Sequence, residues 1–358
     1  MLKGHGGNLY EAALAAGVDP SSVLDFSASV NRMTDRNQLK AWLAESAGQI
    51  GDYPDPEYHH LRKLIGEHYA ISPDAILPGN GSTELLYLVP RVLEMKKGLV
   101  VAPSYADYAD ALRLAGASVE RMYLHKNNAF ALDYSKLAER LQERFDVVII
   151  GTPNNPTGTV TEPAALRSFI AAHPGTLFLI DESFADFAPS STLLPIIPPN
   201  AVVLRSFTKF YGIPGLRAGF AAAPPPIMEK LKAAKEPWTL NSAAEYICRK
   251  LLEEGMNDEA MRSEINRQRD RLAAALGGIP GLRVFATPAN YLLVEIESKT
   301  LTAAALKSAL LSKEKILIRD CGNFDGLDAY WFRVAVRAES ENARLVAALK
   351  GVLCTHSQ

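Results

Sequence analysis

Four short runs of apolar residues constrain this chain more than any other feature. Leu99-Val100-Val101-Ala102, Val147-Val148-Ile149-Ile150, Leu177-Phe178-Leu179-Ile180 and Val202-Val203-Leu204 are continuous rather than alternating. A strand with one wet face alternates apolar and polar residues, so unbroken runs describe strands buried on both faces. Segments 106–114, 134–144 and 163–172 between them fit helices that cross back over the sheet. That alternation predicts an α/β fold with helices covering both faces of the sheet. Each run ends in a polar or Gly/Pro loop: Ala102-Pro103-Ser104-Tyr105, Gly151-Thr152-Pro153-Asn154-Asn155-Pro156, Asp181-Glu182-Ser183 and Ser206-Phe207-Thr208-Lys209. Ligands of such sheets bind beyond the carboxyl ends of the strands, where these loops lie.

Past the last run the pattern changes. Ala221-Ala222-Ala223-Pro224-Pro225-Pro226 reads as a boundary, followed by a charge-mixed helical stretch at 243–276. Strand-like 291–295, 316–319 and 332–336 then surround a helical 301–311. The expected organisation is an arm at 1–40 packed on a small C-terminal α+β domain at 226–358, with a large domain at 41–225. A formal net charge of −2 gives no sign of a nucleic-acid or acidic-membrane partner, so an anionic ligand requires a local cluster of Arg and Lys. Cys248, Cys321 and Cys354 are widely spaced with no CxxC pair, which argues against a disulfide framework or a structural zinc site; no metal is expected. No window has the apolar core of a signal peptide or the length of a membrane span, so a cytoplasmic protein is expected.

The loops hold the residues with chemical uses. Lys209 follows a buried strand and is trailed by Gly212-Ile213-Pro214-Gly215-Leu216-Arg217. It is either a solvated lysine or a desolvated amine made nucleophilic toward an aldehyde. Ser206, Thr208 and Arg217 offer two hydroxyls and a fork of donors suited to a phosphate. Asp181 ends the preceding run, where an ionised carboxylate needs a cation or serves as a cap. Asn154-Asn155-Pro156-Thr157-Gly158 is a turn, or a turn that directs an amide at a ligand. Gly79-Asn80-Gly81-Ser82-Thr83-Glu84 opens a helical segment and presents free N–H groups, a seat for phosphate. Tyr105 could stack on a flat ring.

Taken together, Gly79-Asn80-Gly81, Asn154-Asn155-Pro156-Thr157-Gly158, Asp181-Glu182 and Ser206-Phe207-Thr208-Lys209 resemble the fold type I, or aspartate aminotransferase-like, pyridoxal-phosphate enzymes, and within them the histidinol-phosphate aminotransferase branch. The resemblance runs the length of the chain. It implies a large domain with a mixed, mostly parallel sheet, a small α+β domain, and pyridoxal 5'-phosphate as cofactor. It implies that Lys209 carries the cofactor as a Schiff base, that Asp181 pairs with the pyridine nitrogen and that Asn155 bonds the phenolic oxygen. Gly81, Ser82, Thr83, Ser206, Thr208 and Arg217 would hold the phosphate, and Tyr105 would stack on the ring. Tyr53, in Asp52-Tyr53-Pro54-Asp55, matches a tyrosine that relatives give to the neighbouring subunit's phosphate, implying a homodimer with shared sites.

Two features are more similar to the threonine-phosphate decarboxylases of cobalamin biosynthesis than to the aminotransferases of that branch. One is His5-Gly6-Gly7-Asn8 followed by Leu24-Asp25-Phe26-Ser27-Ala28-Ser29-Val30-Asn31; the other is Phe184, where aminotransferases usually place a tyrosine. Ile316-Leu317-Ile318-Arg319-Asp320-Cys321 and Trp331-Phe332-Arg333-Val334-Ala335-Val336-Arg337 also resemble the decarboxylases closely. The resemblance implies decarboxylation of L-threonine O-3-phosphate to (R)-1-aminopropan-2-ol O-phosphate, the alternative being transamination of histidinol phosphate or another amino acid. Arg333 would bind the α-carboxylate and Arg319 the substrate phosphate, with His5, Asn8 and Asn31 nearby. Arg337 shares a strand face with Arg333 at period two, and either binds substrate or forms a salt bridge. Ser29 departs from the asparagine of the decarboxylases and alters the wall that receives the substrate side chain.

Overall fold

The computed structural model describes residues 6–299 and 301–354. Its centre is a seven-stranded sheet with the order Ile76–Gly79, Gly219–Ala222, Ala201–Ser206, Leu177–Asp181, Val147–Gly151, Lys97–Ala102 and Ser118–Tyr123. Neighbours run parallel except at Gly219–Ala222, which is antiparallel to both strands beside it. The continuous apolar runs are explained by the packing. Val148, Ile150, Phe178, Ile180 and Val203 enter one core; Val147, Ile149, Leu177, Leu179, Val202 and Leu204 enter another on the opposite face.

Helices Asp107–Leu114, Tyr134–Leu141 and Pro163–Ala171 cross over as their spacing predicts. Local signals set their starts: the Asp133 carboxylate accepts from the N–H groups of Ser135 and Lys136, and Glu162 caps a helix that opens on Pro163.

Three expectations need correction. The prolines at 224–226 do not end the large unit. Pro225 opens the helix Pro225–Ala234, which packs on the strand Ile76–Gly79 and the helix Gly81–Val92. Helix Ser242–Glu253 then packs on His59–Tyr69 and Arg36–Ser46, so the chain leaves the large layer along Asp258–Gly277 rather than at Pro226. The stretch 243–276 is therefore two helices, parted at Gly255 and Asn257, both with left-handed backbones. Third, 316–319 is not one strand. Ile316–Leu317 pairs in parallel with Leu24–Asp25, while Arg319–Asp320 pairs antiparallel with Trp331–Ala335.

The small sheet has the order Arg319–Asp320, Trp331–Ala335, Tyr291–Ile296, Leu282–Phe285. It closes a separate core with Leu306, Leu310, Leu345 and Leu349. Among the described residues no helix is long and apolar enough to cross a membrane, and Cys248, Cys321 and Cys354 are free thiols.

Candidate active site

The carboxyl ends of six parallel strands and the amino end of the antiparallel one lie at one edge of the large sheet. A cavity of about 160 Å3 lies there. The antiparallel strand explains how Arg217, which precedes Gly219, reaches the same edge as Lys209, which follows Ser206: Gly219 pairs with both Ser206 and Gly79.

One end of the cavity is built for an anion. Gly81 starts the helix Gly81–Val92 with φ +76, and a Cβ there would stand 2.7 Å from Arg217 Nη2. Glycine is thus what lets the guanidinium lie against the helix start. Arg217 itself has φ +58, an uncommon backbone for a long side chain. A guanidinium at the positive end of a helix dipole is unfavourable unless negative charge sits between them. Ser82 and Thr83 line the same end, as do Ser206 and Thr208, whose hydroxyls are 2.7 Å apart. No acidic side chain pairs with Arg217 among the described residues, and its Nη1 donates only to the Pro214 carbonyl at 3.3 Å.

Beside this cradle stands Lys209, on the single turn Phe207–Phe210 that Ser206 caps by accepting from the Thr208 N–H. Burial pulls its ammonium down to about 8, aided by Arg333 and Arg217, while Asp181 acts the other way. A fraction of the amine is therefore neutral, and nucleophilic, near neutral pH. Asp181 faces the cavity from the end of its strand. Its Oδ1 accepts from the N–H and hydroxyl of Ser183 (2.9 and 2.5 Å) and its Oδ2 from the hydroxyl of Tyr108 (2.7 Å). No Lys or Arg forms an ion pair with it among the described residues, so the carboxylate is oriented but not neutralised. Tyr105 and Asn155 line the walls between these groups.

The far end belongs to the small sheet. Arg333 and Arg319 are direct partners across adjacent strands, and both are buried. Burial lowers the pKa of both guanidiniums, and the charge of Arg333 lowers that of Arg319 further. Arg333 donates to Asn155 Oδ1 and, at 3.0 Å, to the Ser27 carbonyl; its Nε has no partner and no carboxylate pairs with it among the described residues. Arg319 donates to the Asp320 carbonyl and to Asn323 Oδ1 (2.7 Å), over the ring of Phe324. Arg333 lines the main cavity and also a smaller compartment of about 30 Å3 that holds Arg319, Asn323 and Phe324.

Four expected site residues are placed elsewhere. Asn31 does not line the cavity. Its amide donates to the Phe210 carbonyl and accepts from the Met33 N–H, both at 2.9 Å, and its N–H bonds the Lys209 carbonyl, so it braces the lysine turn. Arg337 is turned away and pairs with Glu341 (2.7 Å) while donating to the Asp25 carbonyl (2.9 Å). Asn8 caps the helix Leu9–Ala16 and borders a separate depression on the other side of Arg319. Tyr53 is 82% exposed, its ring 4.9 Å from that of Trp238, and takes no part in this chain's cavity. His5 lies outside the described residues.

Residues 21–350 match the family model for aminotransferase class I and II. The chain belongs to the class I and II aminotransferase family. Within it, the chain is 35% identical over 356 residues to the threonine-phosphate decarboxylase of Salmonella typhimurium, covering 98% of this chain and 96% of that one. Among solved structures, the histidinol-phosphate aminotransferase of Clostridium acetobutylicum superposes with a TM-score of 0.86 at 32% identity, covering 93% of this chain and all of that one. The L-threonine-O-3-phosphate decarboxylase of Porphyromonas gingivalis superposes with a TM-score of 0.82 at 28% identity, covering 92% and 98%.

Two residues of this aminotransferase-family site escape the sequence reading. Tyr108 reaches Asp181 from the helix after Tyr105; its spacing of three from Tyr105 is an available but weak signal. Ser183 follows Asp181 by two, the spacing of an Asx turn. Ser29, which the sequence reading expects to shape the substrate wall, lines the cavity with its hydroxyl buried and without a partner among the described residues. Glu182, beside Asp181 in sequence, points away from the cavity and is fully buried against Arg205 (3.1 Å), a structural pair behind the site.

Proposed function

We propose that the protein decarboxylates L-threonine O-3-phosphate with pyridoxal 5'-phosphate as cofactor. The observation that carries the reading is the cross-strand pair Arg319 and Arg333. Like charges directly opposite on a ladder destabilise a sheet, and burial raises that cost. A substrate bearing both a carboxylate and a phosphate would neutralise the two guanidiniums together.

The residues at the other end suit the cofactor. Gly81, Ser82, Thr83, Ser206, Thr208 and Arg217 would hold its phosphate, Asp181 its protonated ring nitrogen, and Lys209 its aldehyde carbon. Asn155, its oxygen taken by Arg333, has its NH2 left to donate to the phenolic oxygen. Tyr105 would cover the ring. When bound, the cofactor supplies an electron sink conjugated to the substrate amine.

The protein's own part is then binding and proton handling. Arg333 fixes the carboxylate at the joint between the two compartments. The Cα–carboxyl bond breaks, carbon dioxide leaves, and Lys209 Nζ returns one proton to Cα, so that threonine phosphate and a proton become aminopropanol phosphate and carbon dioxide. Loss of carbon dioxide needs no base to remove a Cα proton, and Phe184 gives the wall an apolar ring against Tyr291 (5.1 Å) where a tyrosine would add a hydroxyl.

Holoprotein incubated with threonine phosphate and no keto acid is expected to release carbon dioxide and aminopropanol phosphate in equal amounts. Glutamate formation from histidinol phosphate and 2-oxoglutarate, with no carbon dioxide from threonine phosphate, would establish an aminotransferase instead. That second reading has the 0.86 superposition in its favour.

Tyr53, exposed and remote from its own chain's cavity, supports a homodimer in which it completes the partner's phosphate site. Inactive Tyr53→Ala and Lys209→Ala proteins, once exchanged into mixed dimers, should regain activity in the sites where both residues are intact; no recovery after proven exchange counts against sharing. The free thiols suit a reducing, cytoplasmic compartment.

A further inference from the structure

The loop that follows Arg319–Asp320 touches both ends of a question the active site leaves open, namely what holds Arg319 in place. Asn323 accepts from Arg319 Nη2 at 2.7 Å, and the ring of Phe324 lies 5.0 Å from the guanidinium carbon. The next residue, Asp325, accepts from Arg121 Nε. Arg121 belongs to Ser118–Tyr123, the edge strand of the large sheet. Gly326 then passes so close to this strand that a Cβ would stand 2.8 Å from the Tyr123 ring, at φ +91. Four consecutive residues thus link the phosphate-binding guanidinium to the large sheet. Phe324 and the Leu327 N–H, bonded to its carbonyl at 3.0 Å, close the loop into a compact turn.

We infer that Arg121 and Asp325 are positioning residues that set selectivity for a phosphorylated substrate, acting through the 321–328 loop on Arg319. This rests on the reading of Arg319 as the phosphate contact. The pair itself is a weak anchor in energy, since the Asp325 side chain is 53% exposed and exposed ion pairs contribute little. Its effect is geometric: it decides where Asn323 and Phe324 stand, and so where Arg319 points. Arg333 borders the same small compartment, but among the described residues its guanidinium donates to Asn155 and the Ser27 carbonyl rather than to this loop. The latch should therefore act on the phosphate and spare the carboxylate.

The test compares the apparent affinities of holoprotein for threonine phosphate and for plain threonine, as substrates or as competing ligands. Arg121→Ala and Asp325→Ala should each raise KM for threonine phosphate about three- to fivefold, the range of a screened pair, with kcat and the affinity for threonine unchanged. The exchange Arg121→Asp with Asp325→Arg should restore most of the loss. Gly326→Ala, which wedges the loop away from Tyr123, should do more, about tenfold, for the strain and clash both act there. If wild type favours threonine phosphate over threonine and the variants keep that ratio, the latch is merely structural and the inference fails. If wild type shows no preference, it is the assignment of Arg319 to the phosphate that fails.

Discussion

The loops of the large sheet and the short strands of the small one bring cations to the same cavity, but they hold them by different means. Lys209 follows and Arg217 precedes a strand buried on both faces, within a central sheet whose register fixes Gly79, Gly219 and Ser206 side by side. Arg333 and Arg319 sit on a four-stranded sheet with its own core, placed against the large one by contacts such as Arg121–Asp325 and Lys126–Glu295. The first end is as rigid as the core that carries it. The second can be adjusted without disturbing the first. In physical terms, the large sheet should govern whether chemistry occurs for any substrate, and the small one which substrate it occurs on.

Lys209→Ala gives the largest effect expected of this division: no turnover with any substrate, and no visible absorbance on adding pyridoxal phosphate. Residual turnover would end the argument for the sheet-end lysine. The same amine makes a pH test of the unmutated protein. Below about 8 it is protonated and cannot attack an aldehyde; above about 8 it is neutral. Loading of cofactor-free protein should therefore accelerate as pH rises through about 8 and then level off, whereas an unshifted lysine would keep accelerating toward about 10.4.

Asp181→Asn is next, with an expected loss of roughly 10²–10³-fold in kcat for every substrate, the range seen when a preorganised electrostatic partner is removed. Tyr108→Phe, which removes one of the donors orienting that carboxylate, should give a smaller loss of the same kind. A selective effect of Asp181→Asn on threonine phosphate alone would blur the distinction between the two ends.

The small sheet should behave otherwise. Arg333→Ala removes the carboxylate contact and should lower kcat/KM roughly 10- to 100-fold for threonine phosphate and threonine alike, the range of a hydrogen bond to a charged group. Arg319→Ala should cost threonine phosphate a similar factor and plain threonine almost nothing. Equal losses for both substrates in Arg319→Ala would remove the phosphate assignment.

The same contrast governs what can be read from sequence. The doubly buried strands were legible because burial on both faces leaves continuous apolar runs, and their loop residues were legible because Asp, Asn, Lys and Gly at strand ends are few. Ile76–Gly79 and Gly219–Ala222 were not, since Ile76-Leu77-Pro78-Gly79 and Gly219-Phe220-Ala221-Ala222 are short and rich in residues that strands avoid. In the small domain the break at Ile318 was invisible, because whether an apolar residue continues one strand or passes between two sheets depends on partners distant in sequence. Asn31 and Arg337 looked like ligand residues for the same reason: a polar side chain near a site has the same identity whether it faces the ligand or braces the backbone.

Arg337 provides the smallest effect on activity and the sharpest check on the small sheet. It lies four residues after Arg333, and alternation alone would give both a place in the site. Its guanidinium instead pairs with Glu341 and donates to the Asp25 carbonyl, tying the strand end to the segment that pairs with Ile316–Leu317. Its side chain is 12% exposed and that of Glu341 31%, so the pair is partly screened. Arg337→Ala should cost about 1–2 kcal/mol of stability through the lost charge-assisted bonds, measurable in denaturant unfolding. KM for threonine phosphate and for threonine should stay within about twofold of wild type, because neither compartment loses a contact. A selective rise in KM for threonine phosphate, at unchanged stability, would return Arg337 to the phosphate site and require the strand end to turn toward the cavity when substrate binds.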